Sequence, residues 1–149
     1  MNALKQAGMT LTDAQLAQFE QYYELLVTTN ASVNLTAITE KSEVYLKHFY
    51  DSLTVAFYEK NLQDGEHSLI DIGTGAGFPA IPLKIAFPNL KITLVDALQK
   101  RVKFLQTVVD ELKLSDVTIV HGRAEDIGQN PTFREQFDYA TARAVARTS

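Results

Sequence analysis

Residues 69–87 read LIDIGTGAGFPAIPLKIAF, and three of the chain's seven glycines, Gly73, Gly75 and Gly77, fall there within five positions. Pro79 and Pro82 follow at once. Backbone freedom is therefore local. Glycines at such a point let the chain turn with positive φ and let a ligand approach where a Cβ would stand. A proline in the first turn of a helix lacks an N–H that has no helical partner anyway. The apolar run SLIDI before the glycines reads as a buried strand, and Pro79 to Phe87 as a helix. A strand, a glycine turn and a helix in that order define an α/β fold, whose ligands sit at the carboxyl ends of the strands.

The surrounding sequence agrees. KITLVDA reads as a second strand, QKRVKFLQTVVDELKL as a helix with Val102, Leu105, Val108, Val109 and Leu112 inward, and VTIVHG as a third strand. FDYATARAVA starts as a fourth. Strands alternating with helices of this length predict a parallel, doubly wound sheet. Upstream the pattern is helical. LTDAQLAQFEQYYELLVTTN opens with Thr12 and Gln15 at capping-box spacing, and Leu16, Phe19, Tyr23 and Leu26 recur at helical intervals. EKSEVYLKHFYDSLTVAFYEKN is a second helix with Tyr45, Phe49, Leu53, Ala56 and Phe57 on one side. Leu62 to His67 is a turn. The expected organisation is an N-terminal helical subdomain, 1–62, and a Rossmann-like domain, 63–149, holding four strands. The fourth strand would be an open edge, where self-association can begin. The expectation is a fragment of a longer protein.

At 149 residues the chain has the size of one ordinary domain. Hydrophobic residues make up 46% and charged residues 21%, close to the globular average. The absence of cysteine excludes disulfides and thiolate metal sites and fits a cytoplasmic protein. His67 and His121 carry no metal-ligand spacing, so no metal is expected. No apolar run reaches the roughly 18 residues of a membrane-spanning helix. A net charge of −4 argues against a general nucleic-acid coat protein but leaves room for a local basic patch.

The ligand is constrained by what flanks the glycines. Their spacing is G-x-G-x-G, not the G-x-G-x-x-G of dinucleotide folds, and Phe78 stands where the last glycine of that fingerprint would be. Asp71 lies just before the loop, where a carboxylate repels a pyrophosphate and can hold an ammonium group, directly or through water. Asp96 ends the second strand, where an acid can take both hydroxyls of a ribose. A nucleoside carrying an amino acid meets all three conditions, and S-adenosylmethionine is that molecule. The glycines alone also fit an ordinary tight turn. HGRAED, His121 to Asp126, follows the third strand and would lie over the adenine. Ala124 would pack the ring and Glu125 reach its exocyclic amine, with a solvated acidic turn as the plainer reading.

DIGTGAGFPAIPLKI, VDALQKRVKFL, GRAED and FDYATARAVA, preceded by NLTAI (34–38) and HFYDSL (48–53), resemble in order the motifs of the bacterial 16S rRNA guanine-N7 methyltransferase G family, also called glucose-inhibited division protein B. Ala80 departs from it, since the family usually has glycine there, and the family continues for several more elements. The resemblance implies methyl transfer from S-adenosylmethionine to N7 of one guanine in 16S rRNA of the small ribosomal subunit. It implies cofactor contacts at Gly73, Phe78, Ala124, Glu125 and Arg143. Asp71, Gly75, Gly77 and Asp96 come from the motif itself.

Guanine N7 carries an in-plane lone pair at neutral pH, so no general base is required and no catalytic residue is assigned. His48, beside Phe49, reads more readily as a packed or capping residue than as a catalyst. Candidate RNA contacts are Lys100, Arg101, Arg123 and Arg147, with Lys103 in the same cluster as the first two, and Phe78 as a base-stacking surface. The Lys100–Lys103 cluster fits a solvated helix face equally well. Two other readings are a nicotinamide-dependent oxidoreductase, which the glycine spacing and Asp71 count against, and a cofactor-binding module without activity.

Overall fold

The computed structural model describes residues 10–30, 40–54, 67–123 and 137–141. The Asn34–Ile38 motif, Ala56, Phe57 and most of the predicted turn at 62–67 lie outside them.

The first helix, α1 (Asp13–Asn30), begins at the predicted capping box. Gln15 N donates to Thr12 Oγ1 (3.1 Å) and Thr12 N donates to Gln15 Oε1 (2.8 Å), so two end donors are satisfied reciprocally. Its inward residues are Phe19, Tyr22 and Leu26, each with no solvent exposure. The expected stripe is corrected at two positions: Leu16 is 38% exposed and Tyr23 only half-buried. Spacings of three and four keep Phe19, Tyr22 and Leu26 on one face, and Tyr23 falls to its flank.

The second helical segment runs as α2 (Lys41–Glu43), a π-helical stretch (Val44–Tyr50) and α3 (Asp51–Leu53). Its buried apolar residues are Val44, Phe49 and Leu53. The wider π turn lines up residues five apart, so Val44 joins Phe49. Tyr45, predicted on that face, is half-buried and meets the Phe49 ring edge-on at 5.0 Å.

The sheet contains β1 (Ser68–Ile72), β2 (Lys91–Asp96), β3 (Val117–His121) and β4 (Tyr139–Thr141) in the order β3-β2-β1-β4, all parallel. Helix α4 (Ala80–Ala86) links β1 to β2, and α5 (Gln99–Leu112) links β2 to β3. The chain changes direction across the sheet at β1, so the switch point falls between β1 and β4.

Strand alternation puts Leu69 and Asp71 of β1, and Ile92, Leu94 and Asp96 of β2, on one face. Leu69, Ile92 and Leu94 belong to one buried cluster with residues of α1, α3, α4 and α5. The core thus passes without a break from the helical N-terminal region into the sheet. Each fully buried Leu or Phe in it is worth about 1.5–3 kcal/mol. The opposite face carries a smaller cluster, Ile70 and Val95, with Phe137 among the residues packed on it. In α5, Leu105, Val108, Val109 and Leu112 are buried as predicted, joined by Phe104, while Val102 is only half-buried.

Two side chains close the carboxyl ends of helices, and a third closes the turn between α4 and β2. Gln15 Nε2 donates to Ile85 O and Ala86 O, and Gln18 Nε2 donates to Leu112 O (3.0 Å). Lys84, 2% exposed, donates to Pro88 O (2.5 Å) and Leu90 O (2.6 Å), and burial lowers its pKa. These carbonyls have no partner within their own helix or turn.

Candidate cofactor site

The glycine loop joins β1 to α4 at the carboxyl end of the sheet. Gly73, Gly75 and Gly77 all have positive φ, at 69°, 60° and 101°. Two of these glycines serve opposite ends. A Cβ at Gly75 would meet nothing within 4 Å, so this position opens to a ligand. A Cβ at Gly77 would stand 2.6 Å from Ile81 Cδ1 and 2.9 Å from the Tyr22 hydroxyl. Gly77 therefore permits close packing of α4 and α1 against the loop. That is the task a dinucleotide fold gives to its last glycine, performed here one position earlier than the fingerprint places it.

The loop amides are already occupied. Gly73 N and Thr74 N donate to Val95 O, Gly77 N and Phe78 N donate to Thr74 O, and Gly75 N donates to Asp96 Oδ2 (2.8 Å). At the start of α4, Pro79 and Pro82 have no N–H and Ile81 N donates to Gly77 O (2.8 Å). A pyrophosphate is held by free amides at a loop and helix N-terminus. This loop offers few.

Two buried carboxylates flank it. Asp71, fully buried, accepts from Thr74 Oγ1 at 2.8 Å. Asp96, 2% exposed, accepts from Gly75 N and, through Oδ1, from Leu98 N (2.9 Å) at the start of α5. Each carboxylate oxygen has two acceptor sites, so both of Asp96 retain capacity toward hydroxyl donors. Beyond Asp96, His121 Nε2 lies 2.9 Å from Ala97 O and Gly122 N donates to Asp96 O (3.0 Å), which fixes the β3 end against this turn.

Other expectations change. Phe78 is 6% exposed and its ring lies in an aromatic cluster, stacked on His48 at 4.6 Å and 9° and tilted against Tyr22 and Phe49. It anchors the loop, and its ring is not available to stack an RNA base. The same contact gives His48 the packed role expected of it. Arg101 Nη1 lies 3.8 Å from Asp96 Oδ2, so its guanidinium, still partly exposed, lies toward that carboxylate. Lys100, Lys103 and Arg123 are exposed. Ala124, Glu125, Arg143 and Arg147 lie outside the described residues.

Two site residues escaped the sequence reading. Leu98 is 51% exposed beside Asp96, an apolar platform with no periodicity to announce it. Tyr22 reaches the loop from α1: its hydroxyl donates to Ala76 O at 2.5 Å. Burial, and secondarily the charge of Asp71, push its pKa well above the ordinary phenol value, so it stays a neutral donor. Among the described residues no group of three or more His, Cys, Asp or Glu side chains could hold a metal ion. No helix there is long and apolar enough to cross a membrane.

The strand order, the glycine loop at the switch point and the acid ending β2 define the Rossmann-like fold of S-adenosylmethionine-dependent methyltransferases, here with four strands. The comparisons agree on fold. The YcgJ protein of Bacillus subtilis superposes with a TM-score of 0.50 at 25% identity, over 63% of this chain and 38% of that one. An S-adenosylmethionine-dependent methyltransferase described as putative, from Methanococcus maripaludis, gives 0.51 at 19% identity, over 69% and 47%.

Residues 15–149 match the family model described as rRNA small subunit methyltransferase G, and the chain belongs to that family. It is 74% identical over its whole length to the Ribosomal RNA small subunit methyltransferase G of Leuconostoc mesenteroides and 54% identical to that of Lactococcus lactis. It spans 62% of the length of each.

Proposed function

We propose that this chain forms the cofactor-binding part of an enzyme that methylates N7 of one guanine in 16S rRNA of the small subunit, in the cytoplasm. The observation that carries the cofactor reading is the loop itself. Its amides are bonded internally while two buried carboxylates flank the open Gly75 position. That arrangement suits a ligand with hydroxyls and a cationic amine, and disfavours a pyrophosphate. It counts against a nicotinamide cofactor. Residues 1–62 act as a helical layer on residues 63–149 in this reading.

Asp96 takes the ribose hydroxyls, Leu98 offers an apolar surface to the adenine, and Asp71 favours positive charge near the loop. Gly73, Phe78, Ala124, Glu125 and Arg143 complete the set implied by the family motifs. Bound there, S-adenosylmethionine supplies an electrophilic methyl group. The chain's own residues align it with the base and exclude water. Guanine N7 needs no deprotonation, and His48, stacked on Phe78, is not asked for proton transfer. Lys100 and Arg123 attract RNA phosphates.

The test is transfer of tritiated methyl to small subunits lacking the modification, followed by mapping of the base. The complete protein should label N7 of a single guanine. Labelling of another atom, or none, overturns the reading. The present chain, at 62% of its relatives' length, is expected to transfer weakly or not at all.

A further inference from the structure

We infer that Tyr22 is a positioning residue for the cofactor loop, a role that rests on the cofactor reading above. Besides the Gly73 and Thr74 amides on Val95 O, three hydrogen bonds through side chains hold the loop. Thr74 is tied to Asp71 and Gly75 to Asp96, both anchors belonging to the sheet. The third, from Tyr22 to the Ala76 carbonyl, comes from a helix 54 residues away in sequence. Ala76 lies between Gly75, whose amide meets Asp96, and Gly77, which lies close beneath the same hydroxyl. A loop with three positive-φ glycines has other conformations open to it. The Tyr22 hydroxyl selects the one in which Gly75 faces Asp96 and the open space beside it.

Tyr22 is itself held rigid. Its ring stacks on Phe49 at 5.1 Å and 15°, and it has no solvent exposure. The N-terminal helix therefore reaches past its packing role and sets the affinity of the site from behind the loop.

Tyr22→Phe keeps the ring and deletes the hydroxyl, leaving the Ala76 carbonyl without that donor. Binding of S-adenosylhomocysteine, measured by calorimetry well below the melting temperature, should weaken about tenfold, the scale of one lost buried hydrogen bond. In the ligand-free protein, amide exchange at Gly75 and Gly77 should quicken, while Val108 in α5 is unchanged. Leu112→Ala in α5 opens the core away from the loop and should lower the melting temperature with little change in affinity. Unchanged affinity and exchange in Tyr22→Phe overturn the proposal. So do losses of affinity that track melting temperature equally in both variants, since that marks a structural role only. A parent chain that does not bind S-adenosylhomocysteine overturns the cofactor reading and this proposal together, whereas a binding parent with an unaffected Tyr22→Phe overturns this one alone.

Discussion

Gly75 and Gly77 are two residues apart, have positive φ, and should respond to alanine in opposite ways. At Gly75 the new methyl enters open space, so the cost to folding is the left-handed backbone alone, about 1–2 kcal/mol. In the proposed cofactor reading that space takes the ligand, and S-adenosylhomocysteine affinity should fall by at least about tenfold, or ~1.4 kcal/mol. At Gly77 the methyl collides with Ile81 and the Tyr22 hydroxyl at a φ of 101°. Strain and overpacking together should remove about 3 kcal/mol. Thermal melts and calorimetry on the two variants should separate binding from folding. Asp96→Ala should abolish binding and also free the Gly75 amide. The sequence announced the glycines and both acids, because spacing alone marks them. It did not announce which glycine faces the ligand, since that depends on Ile81 and Tyr22 arriving from elsewhere. Tyr22 and Tyr23 are chemically identical neighbours, and only the true phase of α1 tells them apart. Arg101 was legible as a cation but not as the partner of Asp96.

At the scale of elements, β4 is short and fixed to β1 at one end by a polar staple. Asp138 accepts from Ser68 N (2.9 Å) and lies 3.6 Å from His67 Nδ1, while Asp138 N donates to Ser68 Oγ (3.1 Å). The backbone donor Ser68, above all, holds the Asp138 carboxyl below its usual range. A depressed folded-state pKa means the staple stabilises fully above the unfolded carboxylate value near 4 and is lost as pH falls through the folded one. Amide exchange at Tyr139–Thr141 should therefore rise relative to β2 as pH drops below about 4, after correction for intrinsic rates. Asp138→Asn should flatten that dependence. The elements themselves were largely readable. The capping box of α1 and the apolar runs of β1 to β3 are local signals. The π-helical stretch was not readable, because a 3.6-residue period fits Tyr45, Phe49 and Leu53 and conceals the role of Val44.

Across the whole molecule, a net charge of −4 means that the proposed attraction of RNA has to come from a local patch. Lys100 and Arg123 are exposed near the strand ends, and Arg101 is turned toward Asp96. Filter binding of small-subunit RNA against salt should show the slope reduced by about 1 in Lys100→Glu or Arg123→Glu. Arg101→Gln should leave the slope nearly unchanged and weaken cofactor binding. An equal slope change in all three would return Arg101 to the RNA surface, where its sequence neighbourhood first placed it.

The side-chain caps on the sheet helices bear on how the protein is made. Gln18 finds its carbonyl partner 94 residues later, at Leu112. At about 5–20 residues per second of synthesis, α1 waits roughly 5–20 s for that partner to be polymerised. For the first part of that interval, until β1 and β2 are made, Phe19, Tyr22 and Leu26, later fully enclosed, have no sheet to cover them. Until the sheet is made, the nascent chain exposes an apolar helix face that a chaperone can cover.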